Sequence, residues 1–197
     1  MKVFVVGTGT ANTASVLAGL RRAGADPELT TDASILKDAA HVVLPGVGAF
    51  EAARTRLDEF ALVEILKGRI EEDQPTLGIC LGLQLMCETS EESPGAKGLG
   101  IINGHIERFP NSVRVPQLGW NQVRASDECK FLSSGYAYFA NSYRLVTPPQ
   151  GWNCATTEHA GSFTSAFERG NILACQFHPE LSGEFGLNLM KSWLGRH

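Results

Sequence analysis

Apolar runs and helical spacings alternate through the first half of the chain. Residues 3–6 form a continuous apolar run, which is typical of a strand covered on both faces. Residues 12–23 carry apolar positions at helical spacing, and Gly24 is placed to end that helix. The same alternation predicts a strand at 28–30, a helix at 34–37, a strand at 41–44, helices within 50–70 and a strand at 75–79. Such repeated units predict a three-layer α/β fold with a mostly parallel, right-handed central sheet.

The pattern changes after about Ser90, where glycine, proline and short alternating segments dominate. These segments predict antiparallel strands added to the parallel sheet, at 104–109, 136–145, 161–168 and 171–177. A final helix is predicted at 184–194. Because no internal repeat or low-complexity linker interrupts the sequence, we expect residues 1–197 to form a single domain.

Composition narrows the functional classes. Of the 197 residues, 43% are hydrophobic and 19% charged, as in an ordinary globular protein. The net charge is −4 and no basic cluster is present, so a nucleic-acid partner is not expected. No apolar run is long enough to span a bilayer, and the apolar start ends too early, at 7–10, for a secretory signal. We therefore expect a cytoplasmic protein without a membrane partner.

The five cysteines are expected to be reduced in that compartment. No Cys-x-x-Cys pair occurs, so neither a structural zinc site nor another metal is expected. Cys175 and Cys87 lie in apolar surroundings and are interpreted as core residues. The sequence leaves the roles of Cys129 and Cys154 open.

Cys80 stands out because a predicted strand leads into it and a helix-like apolar run follows. Gly78 and Gly82 flank it, which leaves room for a strained turn and for close packing of strand against helix. A thiol at such a turn meets the positive end of a helix, which favours the thiolate. The pattern therefore predicts an activated sulfur nucleophile.

A cysteine nucleophile needs a base, and the base needs an orienting group. His178 and Glu180 follow a predicted strand, two positions apart, so an extended backbone turns them to the same side. Pro179 restricts the backbone between them. Glu180 could then hold one imidazole nitrogen while the other faces the thiol. A lone histidine at a strand end is more often structural. What favours a catalytic role here is Cys80 at the predicted strand–helix turn.

Two glycine-rich passages follow predicted strands. Gly46 and Gly48 surround Val47 and free the backbone to point N–H groups at an anion, as an oxyanion hole requires. Taken alone, this passage could equally be a tight glycine turn. The passage at 7–12 lacks the third glycine and the acidic partner of a dinucleotide site, so no nucleotide cofactor is expected.

The elbow at 78–84 and the His-Pro-Glu sequence at 178–180 together resemble the shared marks of the class I (triad) glutamine amidotransferases. Within that class the chain resembles the glutaminase subunits of imidazole glycerol phosphate synthase, which act in histidine biosynthesis. The narrower likeness rests on 7–12, 44–50, 116–121, 138–143 and 176–182. The resemblance covers nearly the whole chain and implies a flavodoxin-like sheet and no cofactor.

The resemblance also implies roles for individual residues. Cys80 attacks the side-chain amide of L-glutamine and forms a thioester, His178 moves the protons, and Glu180 orients His178. The residues implied for the oxyanion hole and for glutamine binding are Gly46, Val47, Gly48, Leu81, Gln84, Ser142 and Tyr143.

The partner implied by the resemblance is a cyclase subunit of (β/α)8-barrel type that receives the ammonia. The residues implied for this heterodimer interface are Asn12, Trp120, Asn121, Tyr138, Asn141 and Leu181. The family usually has histidine at position 141 and a basic residue at position 181. Asn141 cannot titrate near neutral pH and Leu181 cannot form an ion pair, so coupling to the usual partner is the property in question.

Three alternatives stay open at this point. A related glutaminase subunit could feed another synthase, such as a sugar amidotransferase. A stand-alone cysteine hydrolase of similar fold typically lacks the His-Pro-Glu sequence. A non-enzymatic subunit would be expected to lose a triad residue, and none is missing here. We further hypothesise that the isolated chain is nearly inactive until a partner rearranges the backbone at 45–48.

Overall fold

A computed structural model of the chain describes residues 1–7, 9, 13–46 and 48–195. The strands are β1 (Lys2–Val6), β2 (Asp26–Thr30), β3 (Val42–Leu44), β4 (Thr76–Ile79), β5 (Cys87–Ser90), β6 (Ile102–Arg108), β7 (Gln117–Ala125), β8 (Gly135–Asn141), β9 (Tyr143–Leu145), β10 (Asn153–Glu158), β11 (Ser162–Arg169) and β12 (Ile172–Cys175). The helices are α1 (Thr13–Arg22), α2 (Ala33–Asp38), α3 (Phe50–Glu59), α4 (Val63–Glu71), α5 (Leu81–Met86) and α6 (Gly183–Trp193), with a 3₁₀ turn at Pro179–Leu181.

Among the described residues, five strands form the parallel part of the sheet, in the order β2-β1-β3-β4-β12. The central strands β3 and β4 are fully buried, which explains why neither sequence carries a charged residue or a regular alternation of apolar and polar positions. The order reverses between β1 and β3, and ligands of open α/β sheets bind beyond the carboxyl ends of the strands near such a reversal. The predicted α/β fold with a mostly parallel central sheet is confirmed.

Helices cover both faces of this parallel sheet. On one face, α1 and α6 pack on the strands through an apolar core that includes Leu20 and Trp193. On the other face, α2 to α5 pack through a second core that includes Leu36 and Leu57. The predicted three layers are therefore present.

The second half extends the sheet beyond β12. Strands β11, β10, β7 and β8 follow in antiparallel pairs, while β9 joins β11 to β6, and β6 pairs in parallel with β5. The segment 171–177 was expected as an added antiparallel strand, and its strand β12 is antiparallel only to β11. On its other side β12 is parallel to β4, so it also completes the parallel sheet.

Several boundaries differ from the sequence pattern. The helices expected within 50–70 are α3 and α4, and the boundary between them lies where Ala61 adopts a positive φ of 54° after the end of α3. The expected strand at 136–145 divides at Ser142, whose carbonyl accepts a hydrogen bond from the backbone N–H of Phe109. Strands β5, β7 and β10 were not predicted from the sequence.

A buried carboxylate fixes the loop that follows β7. Glu168 is only 2% exposed, and its oxygens accept hydrogen bonds from the backbone N–H groups of Lys130, Phe131 and Leu132. Three backbone donors of this loop therefore depend on one side chain of β11.

Replacing Glu168 with alanine is expected to destabilise the fold by about 3 kcal/mol, because three backbone donors lose a charged acceptor. In a chain of this length that loss lowers the melting temperature by roughly 5–10 °C. Glu88→Ala is the matched control, since Glu88 is an exposed glutamate of β5. Thermal unfolding followed by circular dichroism measures both variants. Equal melting temperatures for the two would contradict the assigned role of Glu168.

Candidate active site

Cys80 occupies a strained turn between β4 and α5. Its backbone angles are φ 52° and ψ −105°, a conformation that costs energy for any residue with a side chain. A Cβ atom on Gly82 would lie 2.0 Å from the carbonyl oxygen of Leu44, so only glycine fits there. The predicted strand–turn–helix with cysteine at the turn is confirmed.

His178 and Glu180 lie beside this turn because β12 is the parallel neighbour of β4. Cys175 pairs with Ile79 in register, so the segments that follow both strands emerge at the same sheet edge. The imidazole Nδ1 of His178 lies 2.9 Å from Oε1 of Glu180, and both side chains are buried. Nε2 is the nitrogen left for Cys80. The structure therefore brings together the three residues that the sequence singled out.

The pKa of His178 reflects competing effects. Burial alone lowers the pKa of the imidazole, but hydrogen bonds with Cys80 and Glu180, together with their negative charges, outweigh it and raise the pKa to about 10. The imidazole therefore keeps its proton at neutral pH. An imidazolium beside a sulfur atom favours the thiolate form of the cysteine.

His178 and the 3₁₀ turn that follows it, Pro179–Leu181, form a segment that we call the histidine turn. Its backbone is held from two sides. The N–H of His178 donates to the carbonyl of Tyr138 on β8, while the Ser182 hydroxyl donates to the carbonyl of His178 and accepts from the N–H of Tyr138. On the other side, the guanidinium of Arg22 in α1 donates to the carbonyl of Glu180. The backbone of His178 is thus held directly by β8, and that of Glu180 by α1.

A cavity of about 180 Å³ adjoins the thiol. Its walls include six of the residues implied for catalysis or glutamine binding, namely Gly48, Cys80, Leu81, Gln84, Ser142 and Tyr143. Gly46 lies against Leu81, whose backbone N–H donates to the Gly46 carbonyl at 3.4 Å. Val47 and Asn12 lie outside the described residues.

Two residues of this site were missed by the sequence analysis. Glu92 lines the cavity, and its Oε2 accepts from the backbone N–H of Phe50 at 2.8 Å. Gln176 is fully buried, and its Nε2 lies 3.5 Å from Sγ of Cys80. No local pattern marks Glu92. Gln176, in contrast, lies two positions before His178 and four before Glu180, and the sequence analysis could have used this alternate spacing to place it on the same side of the chain.

The residues implied for a partner interface differ in how far their side chains are exposed. Trp120 and Leu181 are exposed, and Tyr138 packs edge-on against Trp120 with ring centroids 6.2 Å apart. Asn121 is half-buried and donates to the carbonyl of Glu158. Asn141, unlike these residues, is buried. It is 4% exposed, because its side chain turns inward, donates to the carbonyl of Tyr143 and forms part of the cavity wall.

The other cysteines differ from Cys80. Burial raises the pKa of Cys87 to about 12, and Cys175 is fully buried with a pKa well above its usual range. Cys129 and Cys154 are half-buried, and all five cysteines are free thiols. Among residues 1–7, 9, 13–46 and 48–195, no group of acidic, histidine or cysteine side chains is arranged to hold a metal ion. Within the same ranges, no helix has the length and apolar character needed to cross a membrane.

Comparison with known proteins bears on this geometry. The family model described as glutamine amidotransferase class-I matches residues 5–194. The chain is 40% identical over 195 residues to a Methanothermobacter thermautotrophicus protein named imidazole glycerol phosphate synthase subunit HisH, covering 98% of this chain and 97% of that relative. It is also 39% identical to a chloroplastic Arabidopsis thaliana protein named imidazole glycerol phosphate synthase hisHF, covering 98% of this chain but 34% of that relative.

A solved structure supports the fold independently. A crystal structure titled as a glutamine amidotransferase superposes with a TM-score of 0.75, covering 95% of this chain and 98% of that one. The sequences are only 18% identical, so this likeness concerns the fold alone. The family model and the relatives named HisH, in contrast, favour a HisH subunit over a subunit of another synthase or a stand-alone hydrolase.

Proposed function

Because the chain belongs to the class I glutamine amidotransferases and, among them, to the HisH subunits of imidazole glycerol phosphate synthase, we propose that Cys80, His178 and Glu180 are its catalytic triad. The protein is a glutaminase of histidine biosynthesis. The observation that carries the assignment of the triad is that His178, hydrogen-bonded to Glu180 through Nδ1, interacts electrostatically with Cys80 at a strained strand–helix turn.

The proposed reaction proceeds in two steps. In the first, the Cys80 thiolate attacks the side-chain amide carbon of L-glutamine, the C–N bond breaks, and His178 supplies the proton with which ammonia leaves. In the second, His178 takes a proton from water, which attacks the thioester carbon and releases glutamate and the thiolate. Glu180 keeps Nδ1 of His178 protonated, so that Nε2 carries out both transfers.

The cavity beside Cys80 is the proposed glutamine site. Gln84, Ser142 and Tyr143 border it, as the family resemblance implies. Glu92 adds the one carboxylate among the cavity residues that the structure describes, and we assign it to the ammonium group of glutamine on grounds of charge.

The proposed oxyanion hole consists of the Leu81 N–H and a backbone group near Val47. The Leu81 N–H is engaged by the carbonyl of Gly46 and is not free for a substrate oxygen. This contact supports the hypothesis that the segment 45–48 has to move before glutamine is hydrolysed. If only the bound partner moves this segment, glutamine is not hydrolysed in the partner's absence and no ammonia is wasted.

The proposed docking surface for the partner lies next to the histidine turn. Leu118, Trp120, Tyr136 and Leu181 are large apolar side chains that are 45–60% exposed, and the first three belong to β7 and β8. Exposed patches of this kind are typical of protein interfaces. Since β8 is bonded to His178 through Tyr138, contacts on this surface can affect the triad directly.

The proposed partner is a cyclase subunit of (β/α)8-barrel type that uses the ammonia. This chain matches about a third of the Arabidopsis relative, and the unmatched two thirds are long enough to contain such a partner on the same chain. Leu181 then packs against the partner through an apolar contact where a basic residue would form an ion pair. Asn12 and Asn121 remain proposed members of the same interface.

Two further proposals concern the domain organisation and the location of the protein. We propose that residues 1–197 form one glutamine amidotransferase domain, which is supported by β12 from the second half pairing with β4 from the first. We also propose a cytoplasmic location, because the thiol of Cys80 has to stay reduced to act as a nucleophile.

Glutamine hydrolysis by the purified chain is expected to be slow and to rise at least about tenfold when a cyclase subunit from the same organism and its ribonucleotide substrate are added together. The reason is that the segment 45–48 must release the Leu81 N–H. Glutamate release measured with and without each addition tests this. Full activity of the chain alone would contradict the partner-dependent hole and favour a stand-alone hydrolase.

A further inference from the structure

Two buried glutamine side chains connect Cys80 to the backbone of β9. Nε2 of Gln176 donates to Sγ of Cys80 at 3.5 Å, and Oε1 of Gln176 accepts from Nε2 of Gln84 at 2.9 Å. Nε2 of Gln84 also lies 3.4 Å from the carbonyl oxygen of Tyr143. Both glutamine side chains are at least 95% buried, so water does not compete freely for these bonds.

The direction of this series is fixed at its backbone end. The Tyr143 carbonyl can only accept hydrogen bonds, so the end of the Gln84 amide that faces it must be the NH₂ group. That NH₂ group also faces Gln176 and therefore selects the oxygen of the Gln176 amide. The remaining end of Gln176, which faces Sγ, must then be its NH₂ group.

We propose that Gln176 is a further catalytic residue, which holds the Cys80 thiolate by an N–H···S⁻ hydrogen bond, and that Gln84 is a positioning residue that keeps the donor end of Gln176 turned toward the sulfur. This inference rests on the proposed role of Cys80 as the nucleophile. It gives the thiolate a second donor beside His178, from the residue that directly follows β12.

The chemical consequence concerns both halves of the reaction. A hydrogen bond to a charged acceptor is stronger than one to a neutral acceptor, so the Gln176 amide favours the thiolate over the thiol and over the thioester sulfur. It therefore increases the fraction of reactive sulfur before glutamine is attacked. It also stabilises the sulfur as a leaving group when water attacks the thioester.

A merely structural role for Gln176 predicts a different behaviour. Gln176 also belongs to the sheet through its backbone N–H, which donates to the carbonyl of Ser165 on β11. If the side chain only filled space, an unbranched apolar side chain of similar length would serve equally well. The pH dependence of Cys80 reactivity separates the two roles.

The test is the rate of Cys80 alkylation by iodoacetamide between about pH 5 and pH 10, followed by peptide mass spectrometry on the full chain. In Gln176→Met we expect the pH of half-maximal rate to rise by about one unit, which means about tenfold less thiolate near neutral pH. The matched control is Ser165→Ala, because Ser165 is buried beside Gln176 and its hydroxyl has no hydrogen-bond partner among the described residues. Its midpoint should equal that of the unmodified chain.

A second variant covers the possibility that Gln176→Met does not fold, as judged by circular dichroism. Gln84→Met leaves the donor in place but removes its anchor, so the Gln176 amide can turn either way and a smaller upward shift is expected. An unchanged midpoint in folded Gln176→Met overturns the proposal, and so does an unchanged midpoint in Gln84→Met where the first variant is unfolded. If Cys80 of the unmodified chain reacts no faster than Cys129 and Cys154, the assigned nucleophile is wrong instead.

Discussion

Cys80→Ser is expected to reduce glutamine-dependent synthase activity by at least about four orders of magnitude while ammonium-dependent activity of the complex persists. Serine keeps the shape of the side chain, but its hydroxyl is not ionised by a neighbouring imidazolium as a thiol is. Added ammonium bypasses glutamine hydrolysis and supplies the proposed cyclase directly. The measurement is product formation by the complex with glutamine and then with ammonium.

The control for this variant is Cys154→Ser. Cys154 is half-buried in β10, and its burial raises its pKa to about 11, so it is a thiol without a role in the reaction. We expect both activities to be retained in that variant. Loss of both activities in Cys80→Ser would mean that Cys80 supports the structure of the complex and is not the nucleophile.

The triad geometry predicts unequal losses for its other two members. His178→Ala is expected to lower the glutaminase kcat by about 10⁴-fold or more, because no other described side chain both hydrogen-bonds Cys80 and can accept a proton. Glu180→Gln should cost clearly less, since the amide oxygen can still accept the hydrogen bond from Nδ1 of His178. Steady-state kinetics of the complex with glutamine give both values.

The pH profile separates an orienting role of Glu180 from a structural one. The hydrogen bond to Glu180 and its charge raise the pKa of His178, so the neutral amide should lower that pKa. His178 then loses its proton at a lower pH, and the alkaline limb of the kcat/KM profile should move to lower pH. Equal losses in the two variants, together with an unmoved alkaline limb, would contradict the roles assigned here.

The elbow could be predicted because its signal is local: Gly78, Cys80 and Gly82 mark a turn whose geometry depends on neighbours in the sequence. The nearness of His178 to Glu180 was also predicted, but through an extended backbone, whereas the structure has a 3₁₀ turn at Pro179–Leu181. The parallel strands β1 and β3 were predictable for the same reason as the elbow, since strands in the middle of such a sheet are covered on both faces and carry an apolar run.

The remaining features of the site depend on contacts between distant segments. Glu92 reaches the cavity only because the turn after β5 packs on the start of α3. The bond between Leu81 and the Gly46 carbonyl depends on how closely α5 approaches the end of β3, and Asn141 turns inward because the Tyr143 carbonyl accepts its side chain. Strands β7 and β10 were missed because their mixed, half-exposed sequences carry a weak pattern.

The positive φ of Cys80 places a conflict between stability and function at one position. A cysteine there costs about 1–3 kcal/mol that glycine would not, and the surrounding sheet has to offset it. Natural selection therefore maintains the strained residue for its sulfur and against the preference of the fold. In a descendant that no longer hydrolysed glutamine, this selection would cease. Replacement of Cys80 by glycine would then relieve the backbone strain and be favoured by the stability of the fold.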